Sequence, residues 1–306
     1  SLAAVQLVPF AEYARESRVL AARSAKAGNH TFVPRRAAVA AIVPAFFGNP
    51  AGASVTIANR FGEPTNDVEQ VAYPGIVIWP LAAVGLAVSW RRWPVAGIAA
   101  AGAIGAALKY GAPGALQLAG VVPLLRVTPL GRFGVVVILS AIVLAAIGLD
   151  VLLRIAPGRR TELAAGRIRL AAGLAAAGCA AIVLLSLARE RATLVDAGLW
   201  TLTTQRSLAS MTGLALALLA IRARLRRRLG TAALVALFAG LLAADLVTLG
   251  RGFRPLVAAP LVYPPVPEID AVRQDPGLFR VAGWGSALLP NSHVVYGLQQ
   301  FRGYDS

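Results

Sequence analysis

The sequence predicts an all-α polytopic membrane protein whose helical core leads into a truncated extracytoplasmic domain of α/β or β-rich type. Three observations predict it. First, of 306 residues 57% are apolar and 14% charged, and the mean hydropathy is +0.67, whereas soluble proteins carry about 25% charge. A water-soluble globule of this composition leaves too much apolar surface wet, and a disordered chain is poor in apolar residues. Second, the chain contains six apolar windows at or near the length of a membrane-spanning helix. Third, its character changes after residue 250, where Pro and Gly become frequent and the β-type runs LFRVAGW and HVVYGL follow.

The windows are 74–90, 94–110, 134–153, 170–188, 207–221 and 230–250. A helix needs ~20 mostly apolar residues to cross the ~30 Å hydrocarbon core. The fifth window is short and borrows length from its flanks, with Arg206 and Arg222 snorkelling at its two ends. Because the windows are rich in Ala and Gly, their helices approach closely, and the spacing of Gly97, Ala101 and Gly105 suggests one such contact. Residues 1–13 read as the outer end of a truncated transmembrane helix. They lack the charged n-region of a signal peptide, and the chain stops in a polar segment, so the expectation is an internal piece of a longer protein.

The basic residues set the orientation. The loops after the first, third and fifth windows hold twelve Lys and Arg, from Arg91–Arg92, 154–169 and 222–228. The intervening loops hold six: Lys109, Arg126, Arg132, Arg189, Arg191 and Arg206. The richer set is cytoplasmic by the positive-inside rule. Residues 14–73, 111–133, 189–206 and 251–306 then face outside, which makes 74–250 the six-helix membrane domain. Within 14–73 the segment RAAVAAIVPAFFGNP is too short to span and is broken by Pro44, so it reads as an amphipathic or re-entrant helix in the interface. The net charge of +16 is on this view a topology signal, and nucleic acid is not an expected partner; membrane lipids are. With one Cys and two His, disulfides, zinc sites and haem ligation are excluded, and neither metal nor cofactor is implied.

Several segments carry a family resemblance: QLVPFAEYARES, IVPAFFGNP, NDVEQVAYPGIVIWPL with Asn66, Glu69, Tyr73 and Gly75, TPLGRFGVVVILSAIVLAAIGLD, ADLVTLGRGFRP and PNSHVVYGLQQFRGYDS. In this order they resemble the YfhO-like bacterial membrane proteins, which are placed with the GT-C fold of lipid-sugar-dependent glycosyltransferases. The resemblance implies a GT-C-like core in the bacterial inner membrane. It also implies transfer of a sugar from a polyprenyl-phosphate donor to a cell-envelope glycan or lipid at the outer face. Family members are longer at both ends, and the class carries its catalytic carboxylate in the first outside loop, a region that precedes Ser1. Two other readings stay open: a non-catalytic assembly scaffold, and a transporter or flippase of envelope precursors. The nearly charge-free span interiors count against the last.

Such a transferase needs cations for the lipid phosphate and a carboxylate for the acceptor hydroxyl. Arg132, just before the third window, and Arg126, six residues earlier, are the candidates for the phosphate; the bland alternative is an interfacial snorkelling arginine. The candidate carboxylates are Glu12, Glu69 and Asp245. Glu12 and Glu69 stand at span ends, where loop pairing is the competing role. Asp245 lies six residues before Arg251, about 9 Å inside its helix, and an ionisable residue there is functional or structurally paired. Asp150 precedes Arg154 by four residues, the spacing of a helix-surface ion pair. Cys179 reads as a small packing residue.

Overall fold

The computed structural model describes residues 5, 8–9, 12, 32–48, 71–122, 125, 128–155, 159–253, 258–275, 277, 279–283, 288 and 292–300, with backbone only at 159–163 and 252–253. The chain divides into two units, Gly28–Arg254 and Ser1–Ala27 with Pro255–Ser306.

The larger unit is helical. The six apolar windows fall on α1 (Ile78–Ser89), α2 (Trp93–Lys109), α4 (Gly134–Leu153), α5 (Arg159–Asp196), α6 (Trp200–Leu225) and α7 (Thr231–Phe253), with a short α3 (Pro113–Val121) between the second and third. Among the described residues four stretches are long and apolar enough to cross a membrane: Leu130–Leu153, Ala164–Asp196, Trp200–Leu225 and Thr231–Arg251. The pair α2 and α3 meets the same test only together, bent by 89° at its break. α1 has 12 residues, about 18 Å, and is shorter than a span. It begins late because Gly75 sits at φ +107°, outside helical geometry.

α1–α4 and α6 start without side-chain caps; α2 and α3 instead carry proline in their first turn, where its missing N–H costs nothing. Three helices end in the same hydrogen-bonded turn. After α2, Gly111 (φ +60°) and Ala112 donate back to Leu108 and Ala107. After α5, Gly198 (φ +68°) and Leu199 donate to Val195 and Leu194. After α6, Arg227 takes the left-handed position (φ 58°) and Arg228 donates to Ala223. Each turn satisfies carbonyls that the helix end leaves open.

α1 is the most enclosed helix and packs against α4 and α5. Its contact with α4 is backbone on backbone. A methyl added to Gly85 falls on the Leu144 carbonyl and lies 2.8 Å from the Gly148 nitrogen, and one added to Gly148 falls on the Leu81 carbonyl. This glycine pair forms the close crossing in the bundle. Gly97, by contrast, has nothing within 4 Å, while Gly105 meets Val136 at 3.2 Å. Away from this core the long helices present leucines outward: Leu174, Leu185 and Leu219 are 64%, 70% and 60% exposed. Helices apolar on every face belong in lipid.

The segment around Pro44 is drawn into the core. Arg35–Ala41 forms a 3-10 helix and the chain then turns through Phe47. Val33, Ala37, Val39, Val43, Phe46 and Phe47 are all buried. Apolar residues on all sides leave no polar face for the interface, and burial is the consequence. Non-helical backbone then needs partners for its carbonyls, and three side chains supply them: Trp79 Nε1 to Ala41 (3.0 Å), Arg206 Nη1 to Ala45 (3.0 Å) and Thr203 Oγ1 to Phe46 (2.8 Å).

The described residues of the smaller unit do not support the β-type character read in 251–306. Among its described residues are two short helices, α8 (Ala259–Val262) and α9 (Pro267–Arg273), a 3-10 turn at Ser292–Val294 and one isolated parallel bridge between Val281 and Gln300. No named strand occurs among them. The run HVVYGL folds back on itself, with the amides of Tyr296 and Leu298 donating to the His293 carbonyl at 3.1 Å. A strand needs a neighbour for its ladder, and among the described residues 279–283 only Val281 pairs, with Gln300. α9 forms because Pro267 opens it and Glu268 and Asp270 sit in its positive first turn.

Candidate functional site

Asp245 lies on α7, one turn beyond Leu241. Facing it is the non-helical stretch Val71–Gly75 that leads into α1. The positive φ of Gly75 turns the backbone so that the Ile76 N–H donates to Asp245 Oδ2 at 2.9 Å. The buried Tyr73 hydroxyl donates to the same oxygen at 2.6 Å. Only glycine fits the turn: a Cβ on Gly75 collides with Leu242 Cδ1, and the backbone conformation disfavours any L side chain. Asp245 is thus held by a phenol and an amide. No arginine pairs with it among the described residues.

Asp245 forms part of the wall of a cavity of about 650 Å³ between α6, α7 and the Pro44 segment. Val43, Pro44, Ile76, Leu216, Leu241 and Leu249 make it mostly apolar, and Gln205, Arg206, Ser210, Thr212, Asp245 and Thr248 line it with polar groups. The hydroxyls of Thr212 and Thr248 donate to Leu208 and Ala244 of their own helices at 2.9 and 2.6 Å. With their protons used this way, their oxygens are left as acceptors. Arg206 uses Nη1 to hold the Ala45 carbonyl; the rest of its fork is a donor set for an anion. One carboxylate and one guanidinium on an apolar-walled cavity suit a ligand with a lipid chain, an anionic group and hydroxyls.

The other residues singled out in the sequence lie elsewhere or outside the description. Arg132 sits exposed in the 3-10 turn Leu130–Phe133, with its amide donating to Pro129. The buried Lys109, whose Nζ is 3.4 Å from the Gly131 carbonyl, joins that turn to the end of α2. Arg132 does not line the Asp245 cavity. Arg126 and Glu69 lie outside the described residues. Glu12 is an exposed helical residue of the smaller unit. Asp150 and Arg154 form the expected ion pair at 2.7 Å on the surface, and Cys179 packs buried in α5.

Sequence reasoning missed Arg206 as a cavity residue and Tyr73 as the partner of Asp245. The available signal was the polar string TLTTQRS at the start of α6, where Thr203, Arg206 and Ser207 fall on one helix face. No family model, characterised protein or solved structure matches the chain.

Proposed function

We propose that the chain is the membrane core of a glycosyltransferase-like protein of the bacterial inner membrane, with its C-terminal segment extracytoplasmic. In this reading it handles a polyprenyl-phosphate sugar and a cell-envelope acceptor at the outer face. The observation that supports it is the cavity shared by Asp245 and Arg206. Its leucine and valine walls accommodate a prenyl chain, Arg206 grips the phosphate, and Asp245 accepts a sugar or acceptor hydroxyl. Tyr73 and the Ile76 amide hold that carboxylate in place. The phosphate contact moves from Arg132 to Arg206, because Arg206 shares the cavity with Asp245.

The test is a donor titration on purified full-length protein with a fluorescent polyprenyl-phosphate sugar. Arg206→Lys keeps a donor for the Ala45 carbonyl but loses the fork, and Arg206→Ala loses both. Arg206→Ala weakens binding by about 1.5–3 kcal/mol, the range for hydrogen bonds to charged groups, with Arg206→Lys in between. Arg132→Ala leaves affinity unchanged. Equal affinity for wild type and Arg206→Ala sinks the reading.

A second reading, movement of an envelope precursor across the bilayer, is favoured by one feature. The cavity is walled in part by the non-helical Pro44 segment, and transporters build their sites from broken backbone. Reconstitution separates the two: a transferase extends the acceptor with sugar, whereas a transporter moves labelled lipid between leaflets and leaves the acceptor unchanged.

A further inference from the structure

The basic stretch 222–228, which the sequence offers only as an orientation signal, has divided tasks in the structure. Arg224 turns to the end of α4, its Nε donating to the Leu152 carbonyl (3.0 Å) and Nη2 to Leu153 (2.9 Å), with Nη1 reaching Leu229 (3.3 Å). Arg227 and Arg228 build the turn that ends α6. Arg226 caps α6 with its amide donating to the Arg222 carbonyl at 3.0 Å, but the side chains of Arg222 and Arg226 do neither. They stand four residues apart at the end of α6 and, with Arg169 of α5, line an open cavity of about 360 Å³ together with Ala165 and Leu225. No carboxylate lines it among the described residues. Arg169 is steadied by its Nε donating to the Ala165 carbonyl at 3.3 Å, which leaves its two terminal nitrogens.

Three guanidinium groups around one small cavity repel each other. Like charges at four-residue spacing already destabilise a helix, and α5 adds a third. An anion entering the cavity removes that repulsion and receives several forked donors at once. We infer that this cavity binds a phosphate group, with Arg169, Arg222 and Arg226 as its ligands. The group is either the phosphodiester of an anionic lipid headgroup or free phosphate. Arg222 follows Arg206 by sixteen residues on α6, about 24 Å along the helix, so this site is separate from the Asp245 cavity and does not depend on the reading given for it. Its place, near the far end of an apolar helix from Arg206, is the depth at which headgroups lie. A tight phosphate fit favours arginine over lysine, because lysine is a point charge without the fork.

The test uses the full chain purified in detergent. Labelled inorganic phosphate is measured by equilibrium dialysis at constant ionic strength, and phosphatidylglycerol is titrated against phosphatidylcholine by native mass spectrometry. Wild type binds saturably in at least one arm. Arg222→Gln with Arg226→Gln weakens that binding at least about tenfold, as loss of two charge-assisted contacts requires, and Arg169→Gln weakens it several-fold. The matched control, Arg167→Gln with Arg228→Gln, removes the same charge outside the cavity and leaves affinity within about twofold. If the glutamine pair does not fold, Arg222→Lys with Arg226→Lys keeps the charge and still loses affinity. Saturable phosphatidylglycerol binding that phosphate competes away identifies a headgroup site. Phosphate binding without lipid preference identifies a soluble phosphate site. Binding that never saturates, or that falls equally in the control, overturns the inference.

Discussion

Tyr73 and Asp245, 172 positions apart in sequence, share a 2.6 Å hydrogen bond that fastens the start of α1 to the middle of α7. The bond has a donor of fixed direction and a carboxylate that also takes the Ile76 amide. Removing the phenol leaves that carboxylate with one donor in an apolar setting. Tyr73→Phe and Asp245→Asn are each expected to lower stability by about 1.5–3 kcal/mol. In a double-mutant cycle the combined loss falls short of the two single losses together, with a coupling of about 0.5–3 kcal/mol. Thermal unfolding of the four proteins in one detergent gives the cycle. Strict additivity means that the two residues act independently.

The helix-ending turns make a prediction of opposite signs. Arg227 holds a left-handed conformation that costs an L residue about 1–2 kcal/mol. Arg227→Gly is therefore stabilising by about 1 kcal/mol. Gly198→Ala at the corresponding position of the α5 turn is destabilising by a similar amount. Loss of stability in both variants would show that Arg227 makes a contact outweighing its backbone conformation.

A third expectation concerns the crossing of α1 and α4. Gly85→Ala and Gly148→Ala each force a methyl against backbone that cannot rotate away, and overpacking of this kind costs about 1–3 kcal/mol. Gly97→Ala meets nothing within 4 Å and raises helix propensity, so it is neutral or mildly stabilising. Size-exclusion profiles and melting temperatures across the three variants decide the matter. Equal behaviour of all three contradicts the crossing.

The orientation is tested by labelling. Single cysteines at Ala165 and Gly277, in a Cys179→Ala background, are expected to react from opposite sides of the membrane, because the basic loops outnumber the others twelve to six. Reaction of both from the outside reverses the assignment of faces on which the proposed function rests.

The helices were legible because their signal is local: apolar runs bounded by arginines and prolines define α1, α2, α4 and α7 within a few residues, whereas α5 and α6 run well beyond their windows. Local spacing also revealed the Asp150–Arg154 pair. Asp245 stood out because a carboxylate within an apolar run is costly and needs a reason. Its partner did not, since no pattern in NDVEQVAYPG links Tyr73 to a residue on the last long helix. Arg206 read as a snorkelling residue because the same side chain suits both roles; what decides is the buried Pro44 segment, whose carbonyls require donors. The Gly97, Ala101, Gly105 spacing was conspicuous, yet the closest crossing belongs to Gly85 and Gly148, since spacing on one helix says nothing about which face meets a neighbour. The β-type runs after residue 250 form no named strand among the described residues, for a related reason: strand propensity is realised only when a partner lies alongside.

The central claim, that a lipid-linked phosphate occupies the cavity between Arg206 and Asp245, is tested most directly by photocrosslinking. A polyprenyl phosphate with a photoreactive group near its phosphate is bound to the full-length protein, irradiated, and the adducts are mapped by peptide mass spectrometry. The account requires adducts within 205–216 and 241–249, reduced by Arg206→Ala and competed away by unlabelled donor. Adducts confined to the Arg132 turn at 130–133, and indifferent to Arg206→Ala, contradict it.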